Sequence, residues 1–171
     1  MTALAGDAAT VSVFVAVTPE DAFDVFTTEI DLWWRQGPKY RIAGKRRGQL
    51  FFEGGTGGRM FETFETSAGS RTFEVGKVLV WDPPRRLELE WRGVNFKPGE
   101  ITFVEVSFQP SGEGTMVTVR HRGWAALRDD HPVRHGLAGP AFIRMIGMFW
   151  GELMTSLREH VAAKVNPPED G

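Results

Sequence analysis

Between residues 49 and 122, the chain is divided into short segments in which apolar and polar side chains alternate, with turn residues between them. Alternation with a period of two is typical of strands that bury one face, and regularly spaced short strands favour an antiparallel meander over βαβ units. An alternating valine segment at residues 11–17 predicts one further strand at the start. The six later strands are predicted at residues 49–53, 59–65, 71–81, 86–91, 101–109 and 115–122.

Helical patterns lie on both sides of this β region. A threonine cap followed by Pro19 predicts a helix directly after the first strand, and a second short helix is predicted at residues 30–34. The longest helical pattern starts at Pro140. Its apolar face is predicted from Phe142, Ile146, Phe149, Leu153 and Leu157.

Two glycines, Gly147 and Gly151, fall inside this last helix. Glycine destabilises a helix interior by about 1 kcal/mol relative to alanine, so we expect something to approach the helix closely at these positions. Close packing on the sheet is the first explanation, and room for a ligand is the second.

Length and charge limit the possible classes of protein. The 171 residues suit one domain, which we expect over residues 10–164 with flexible ends at 1–9 and 165–171. A net charge of −2 argues against a generally basic nucleic-acid binder. The absence of cysteine excludes disulfides and thiolate chemistry and fits a cytoplasmic protein. No signal peptide and no membrane-inserted segment are expected from the apolar patterning.

The aromatic composition is unusual, with 13 phenylalanines and 6 tryptophans but only 1 tyrosine. These side chains supply large apolar surfaces almost without hydroxyl groups. We therefore expect a dry interior with few hydroxyl donors.

Two polar residues are predicted to point into that interior. His121 shares the face of Val117 and Val119, where an imidazole can orient a ligand or transfer a proton, or can simply be hydrogen-bonded at a cavity rim. Glu62 lies two residues after Met60 and is therefore expected on the same, inward face of its strand. A buried carboxylate must be paired or protonated. An ion pair within the sheet is preferred to a catalytic role, and the candidate partners are Arg59, Arg120 and Arg122.

Two other clusters have simpler structural explanations. His131 and His135 have a spacing that suits a metal, but Pro132 lies between them, so a capped turn beginning at Pro132 is preferred and no metal site is predicted. The basic residues after Trp34 are expected to form a solvated loop rather than a phosphate or acidic-partner site. They are Lys39, Arg41, Lys45, Arg46 and Arg47.

Several stretches, taken together, resemble one family. They are Trp33-Trp34, GGRMFE at residues 57–62, GKVLVWDPPRRL at residues 76–87, Trp91, GEGT at residues 112–115 and VRHRGW at residues 119–124. They resemble the bacterial activator-of-heat-shock-protein-90-ATPase-homologue-like family of the START-like (SRPBCC) superfamily, from about Val11 to Val161. The loop at residues 125–139 departs from the usual pattern of that family.

This resemblance implies an α+β helix-grip fold, in which a curved antiparallel sheet of about seven strands surrounds the C-terminal helix with a hydrophobic cavity between them. It does not imply one activity, because the superfamily includes lipid carriers, aromatase/cyclases, hydratases, chaperone regulators and hormone receptors. No cofactor is expected. The predicted cavity wall consists of Trp33, Phe51, Phe61, Val78, Trp91, Val106, Val119, His121, Phe142, Met145, Ile146 and Phe149.

Three functions follow from these patterns, in order of preference. The first is binding of a small hydrophobic or aromatic molecule, lipids included, without chemistry of its own. The second is a cyclase/aromatase- or hydrolase-type enzyme, which requires His121 and Glu62 to converge across the cavity. The third is a chaperone-regulating interaction module, which requires an exposed apolar patch. A monomer or a homodimer is expected, without nucleic-acid partners.

Overall fold

One antiparallel sheet and three α-helices form the part of the chain that the structure, a computed structural model, describes: residues 7–44 and 47–167. The strands are β1 (Ala8–Val15), β2 (Gly48–Phe52), β3 (Arg59–Thr66), β4 (Gly69–Asp82), β5 (Arg86–Trp91), β6 (Thr102–Ser111) and β7 (Gly114–Arg122). The helices are α1 (Pro19–Thr28), α2 (Ile30–Trp33) and α3 (Gly139–Val165), with single 3₁₀ turns at Trp124–Ala126 and Pro132–Arg134. The predicted order of elements is confirmed.

The strands form one curved seven-stranded sheet in the order β1-β7-β6-β5-β4-β3-β2. Strands β2 to β7 follow one another as a meander, and β1 forms the edge of the sheet next to β7. The register shifts between Met60 and Phe61 on β3 and between Val78 and Val80 on β4. Such irregularities bend a strand and increase its twist, which favours a sheet that curves around a helix. The helix-grip fold is thereby confirmed.

Regular elements extend close to both ends of the described chain. β1 begins at Ala8, inside the segment expected to be flexible, and the Asp7 side chain accepts a hydrogen bond from the Ala125 backbone N–H at 3.2 Å. At the other end, α3 continues to Val165. The expectation of flexibility at residues 1–6 and 168–171 lies outside the described residues.

The first helix forms as its sequence predicts. The Thr18 hydroxyl accepts a hydrogen bond from the Asp21 N–H at 3.3 Å, and Pro19 occupies the first turn. Its apolar side packs on the inner face of β6, where Phe23 and Phe26 have ring centroids 5.1 and 5.7 Å from that of Phe108.

α3 fills most of the space inside the curved sheet. The residues that α3 buries are close to those predicted from its sequence pattern. Trp150, however, occupies the centre of the buried face, and Phe149, which was predicted to be on that face, is only half-buried. Opposite the helix, the inner face of the sheet contributes Leu87, Val106 and Val119, each at most 1% exposed. Val106 and Val119, expected in the cavity wall, therefore lie in packed core between the sheet and α3.

The two helix glycines are not sites of close packing. A Cβ atom added at Gly147 or Gly151 would meet no atom within 4 Å, apart from the helix's own backbone and chain neighbours. The first explanation offered for them was therefore wrong, because both positions lie beside the buried face of α3 and not on it.

No helix among residues 7–44 and 47–167 combines the length and the apolar character that crossing a bilayer requires.

Candidate functional site

An open cavity of about 360 Å³ lies at one end of the interior. Its walls come from the loop after α2, from strands β3 to β5, from the β5–β6 loop and from α3. We call it the aromatic cavity, and its principal wall residues are Trp34, Tyr40, Met60, Trp91, Phe96 and Phe149. Its volume falls in the range of small-molecule sites, which begins at about 300 Å³.

The aromatic rings of this cavity are held by mutual contacts. Trp34 and Trp91 have ring centroids 5.9 Å apart, and Tyr40 stacks on Phe149 at 5.3 Å. The Trp34 indole N–H also donates a hydrogen bond to the Tyr40 carbonyl at 3.0 Å. The wall is mainly apolar and the Trp34 N–H is already used within the protein, so the cavity is suited to flat apolar molecules.

A buried carboxylate, Glu62, completes one side of the cavity. Its Oε2 accepts a hydrogen bond from the Ala43 N–H at 2.5 Å, whereas Oε1 has no hydrogen-bond partner among the described residues. Burial raises the pKa of Glu62, and the Ala43 N–H, the nearby Arg41 charge and the Ile42 N–H oppose this rise. The inward orientation predicted for Glu62 is therefore confirmed.

The ion pair predicted for Glu62 was wrong. Arg59 pairs with Glu53 at 2.7 Å, Arg122 pairs with Glu88 at 2.6 Å and Arg120 lies 3.5 Å from Glu105. Glu62 belongs to the inward set of β3 side chains, whereas these arginines are partly exposed and pair on other parts of the sheet.

Arg41 was predicted to be solvated, but its side chain is 0% exposed and is held by several hydrogen bonds inside the protein. Its guanidinium donates to the Asp31 carboxylate at 2.6 Å and to the backbone carbonyls of Asp31, Trp34 and Arg35 at 3.1, 2.9 and 3.0 Å. A buried arginine is tolerated where its donors are satisfied in this way. The loop that carries Tyr40 and Ile42 is thus fixed from inside.

The same loop is also attached to α3. Lys39 pairs with the Glu152 carboxylate at 2.9 Å, and the Arg35 side chain donates to the Glu152 carbonyl at 2.9 Å. Arg47 is exposed, as predicted, and Lys45 and Arg46 lie outside the described residues.

His121 points inward as predicted, but it does not line the aromatic cavity. The Trp150 indole N–H donates to His121 Nδ1 at 3.0 Å, so Nε2 carries the proton and donates to the Thr102 hydroxyl at 2.8 Å. That hydroxyl donates in turn to the Trp91 carbonyl at 3.2 Å. Burial lowers the pKa of His121 to about 3, so the ring is neutral and both of its nitrogens are occupied.

The structure does not join His121 and Glu62 into one group. The hydrogen-bond partners of His121 are Thr102 and Trp150, and the side chain of Glu62 is held by the backbone of the loop after α2. The convergence that an enzyme using this pair requires is not found among the described residues.

Of the twelve predicted wall residues, Trp91 and Phe149 line the aromatic cavity. Phe51 and Phe61 stack on each other at 5.2 Å on the opposite face of the sheet, because the register places Leu50 and Met60 inside. Met145 is half-buried against the core. The others are buried and outside the cavity wall: Trp33, Val78, Val106, Val119, His121, Phe142 and Ile146.

The wall residues that sequence reasoning missed come mainly from loops. Tyr40 follows α2, Phe96 belongs to the β5–β6 loop and Val133 to a 3₁₀ turn, and loops carry no periodic signal. Met60 was recognisable, because it alternates inward on β3 together with Glu62.

Two loops over the cavity are connected through Glu100. The Glu100 carboxylate accepts from the Lys97 N–H at 2.7 Å and from the Arg128 side chain at 3.3 Å. His131 Nε2 lies 3.2 Å from Glu100 Oε1, in a geometry that falls short of a hydrogen bond. We call this group the Glu100 clamp.

The capped turn predicted at Pro132 is confirmed. His131 Nδ1 accepts a hydrogen bond from the Val133 N–H at 3.1 Å, and the 3₁₀ turn begins at Pro132. Among residues 7–44 and 47–167, no group of three His, Asp or Glu side chains is placed to hold a metal ion.

Several solved structures resemble this fold. A protein from Cytophaga hutchinsonii superposes with a TM-score of 0.65 at 12% identity, covering 95% of this chain and 99% of that one. A Rhodobacter sphaeroides protein gives 0.60 at 19% identity, with 93% and 94% covered. The Aha1 dimer from Colwellia psychrerythraea gives 0.58 at 15% identity, with 90% and 95% covered. At these identities the likeness concerns the fold alone.

No match is found among curated proteins. The family model described as Activator of Hsp90 ATPase homolog 1-like protein matches residues 8–139, which is most of the chain and includes every strand of the sheet. The chain therefore belongs to the Activator of Hsp90 ATPase homolog 1-like family.

Proposed function

We propose that this protein binds a small hydrophobic or aromatic molecule in the aromatic cavity. The observation that carries the proposal is the cavity itself, whose aromatic wall lies between α3, the loop after α2 and strands β3 to β5. Its wall is mainly apolar and contains a few polar groups at defined positions, which is the usual composition of a small-molecule site.

The rigidity of the wall supports this proposal. Trp34 is fixed by its hydrogen bond to the Tyr40 carbonyl, and the loop that carries Tyr40 is fixed by Arg41. A pre-formed site requires less ordering when a ligand binds, so more of the contact energy appears as affinity.

The two other functions receive less support. Both nitrogens of His121 have protein partners, which favours ligand binding over the acid–base chemistry of the enzyme hypothesis. The exposed apolar side chains include Leu32, Val94 and Met148, and individual exposed apolar residues are normal on protein surfaces. We propose a cytoplasmic monomer or homodimer that needs no cofactor. One relative in fold, from Colwellia psychrerythraea, is described as a dimer.

The first test is a comparison of two phenylalanine truncations. Phe149→Ala removes a ring from the cavity wall, whereas Phe51→Ala removes a ring from the opposite face of the sheet. With 2-naphthol as the probe in isothermal titration calorimetry, we expect F149A to weaken binding by about tenfold, which is about 1.4 kcal/mol, and F51A to leave it unchanged.

The proposal is wrong if the wild-type protein shows no saturable binding of 2-naphthol, or if F51A and F149A weaken binding equally. Native mass spectrometry of freshly purified protein adds an independent readout. We expect a mass increment that is retained in F51A and lost in F149A.

A further inference from the structure

One oxygen of the Glu62 carboxylate has no hydrogen-bond partner among residues 7–44 and 47–167. Oε2 is used by the Ala43 N–H, but Oε1 is buried and accepts no hydrogen bond from the described residues. An unsatisfied buried polar atom is destabilising, and native proteins satisfy the great majority of such atoms. Because Glu62 is also a wall residue of the aromatic cavity, a ligand in that cavity is a direct source of the missing partner.

Arg41 does not supply this partner. Arg41 influences the charge on Glu62, but its guanidinium is already bound to the Asp31 carboxylate and to three backbone carbonyls. Glu62 is therefore adjacent to a positive charge without being directly paired with it.

This arrangement restricts the polar group that a ligand can bring. A cationic amine would be opposed by the charge of Arg41, and a carboxylate would be opposed by Glu62. An ether or ketone oxygen cannot donate to an ionised carboxylate. A hydroxyl group donates to a carboxylate and accepts from a protonated carboxyl, so it suits both forms of Glu62.

We infer that Glu62 selects, among apolar ligands of the aromatic cavity, those that carry a hydroxyl group, by accepting its hydrogen bond at Oε1. This inference rests on the proposed binding function and adds the chemical class of the ligand. The expected ligand is a flat, mainly apolar molecule with a phenolic or alcoholic hydroxyl. The ring lies among the aromatic side chains, and the hydroxyl reaches Glu62.

The test uses two probes of nearly equal shape, 2-naphthol and 2-methylnaphthalene, which differ by a hydroxyl in place of a methyl group. Their dissociation constants are measured at pH 7 by equilibrium dialysis. The quantity of interest is the ratio of the constant for 2-methylnaphthalene to that for 2-naphthol, because this ratio cancels the contribution of the shared ring.

Two variants remove the proposed contact to different degrees. Glu62→Met has a similar length but no acceptor, and we expect the ratio to fall by about tenfold, the size of effect typical for a hydrogen bond to a charged group. Glu62→Gln keeps an acceptor for the Ala43 N–H and offers a neutral amide to the ligand, so we expect a fall of about threefold. If E62M does not fold, the ratio of dissociation constants measured for E62Q alone tests the role of Glu62.

The matched control is Glu65→Gln. Glu65 is on the same strand but is exposed and hydrogen-bonds to Ser70, so E65Q should retain the wild-type ratio. An unchanged ratio in E62Q and E62M, with both probes still binding, overturns the role of Glu62 and leaves the binding function standing. Failure of both probes to bind the wild-type protein overturns the binding function, and this inference with it.

Discussion

His121 shows at the residue scale how burial changes the role of an ionisable group. Its ring is 2% exposed and connects Trp150 on α3 to Thr102 on β6. Both nitrogens have partners only in one neutral tautomer, in which Nδ1 accepts and Nε2 donates. His121, which the sequence suggested for proton transfer, thus links α3 to the sheet through two hydrogen bonds.

The lowered pKa of His121 predicts a pH dependence of stability. Below about pH 6.5 the unfolded chain binds a proton at this residue, and the folded protein binds it only near pH 3. The free energy of unfolding should therefore decrease as the pH falls between these values, by about 1.4 kcal/mol per pH unit from this residue alone. Urea unfolding at pH 7, 6 and 5 measures the slope.

The control for this prediction separates His121 from other groups. His121→Gln should remove its part of the slope, whereas His135→Asn changes an exposed histidine whose φ of 48° asparagine tolerates. Equal slopes in the wild-type protein and in H121Q would contradict the prediction. NMR of the imidazole gives a second test, because His121 should keep its Nε2–H tautomer at pH 5.

At the scale of single elements, α3 contains two glycines that cost stability without a packing reason. A Cβ at Gly147 or Gly151 meets open space, so alanine adds no steric conflict. We expect Gly147→Ala and Gly151→Ala each to raise the free energy of unfolding by about 0.5–1 kcal/mol, because alanine has less backbone freedom to lose. Chemical denaturation measures this change.

Gly76 on β4 is the matched control, since a Cβ there would lie 2.0 Å from the Glu90 carbonyl oxygen. Gly76→Ala should be strongly destabilising. If G147A or G151A is also destabilising, this flank of α3 contacts something outside the described residues, and a second copy of the chain would be the first candidate to examine by sedimentation.

On the scale of the whole molecule, the aromatic cavity depends on loops that lie far apart in the sequence. The Glu100 clamp joins the β5–β6 loop, which carries Phe96, to the segment before α3, which carries Val133. The Lys97 N–H, with help from Arg128 and His131, holds the pKa of Glu100 below its usual value. The carboxylate therefore keeps these partners at neutral pH and loses them as the pH falls through the lowered pKa.

Glu100→Gln should loosen this wall of the cavity without unfolding the sheet. We expect faster amide hydrogen exchange at residues 93–97 and a severalfold weaker affinity for 2-naphthol, because part of the binding energy is then used to order the loop. Glu113→Gln, in the exposed β6–β7 turn, is the control. Unchanged exchange at residues 93–97 in E100Q would contradict this role of Glu100.

The order of elements was predictable because it depends on local periodicity. Alternation located all seven strands to within a few residues, and a cap followed by proline located the start of α1. The family resemblance then supplied the helix-grip arrangement of these elements. The inward orientation of Glu62 and His121 was also predictable, since parity along a strand selects one face.

The aromatic cavity was not predictable to the same extent. Parity was misjudged at Phe51 and Phe61, which face outward together because the β2–β3 register places their neighbours inside. Phe142 and Ile146 were assigned correctly to the inner face of α3, but an inner face does not distinguish a cavity wall from a packed core.

Local sequence patterns thus settled which segments are strands and helices and which faces they bury, because backbone geometry makes these properties periodic. Only the tertiary structure decided where the interior remains open, that Arg41 is buried and that one Glu62 oxygen has no partner among the described residues. The cavity depends on loops that meet across long distances in sequence, and the burial of Arg41 depends on the folding of one loop without a periodic pattern. Their packing is set by the volumes of all the surrounding side chains together, and no single stretch of sequence records that sum.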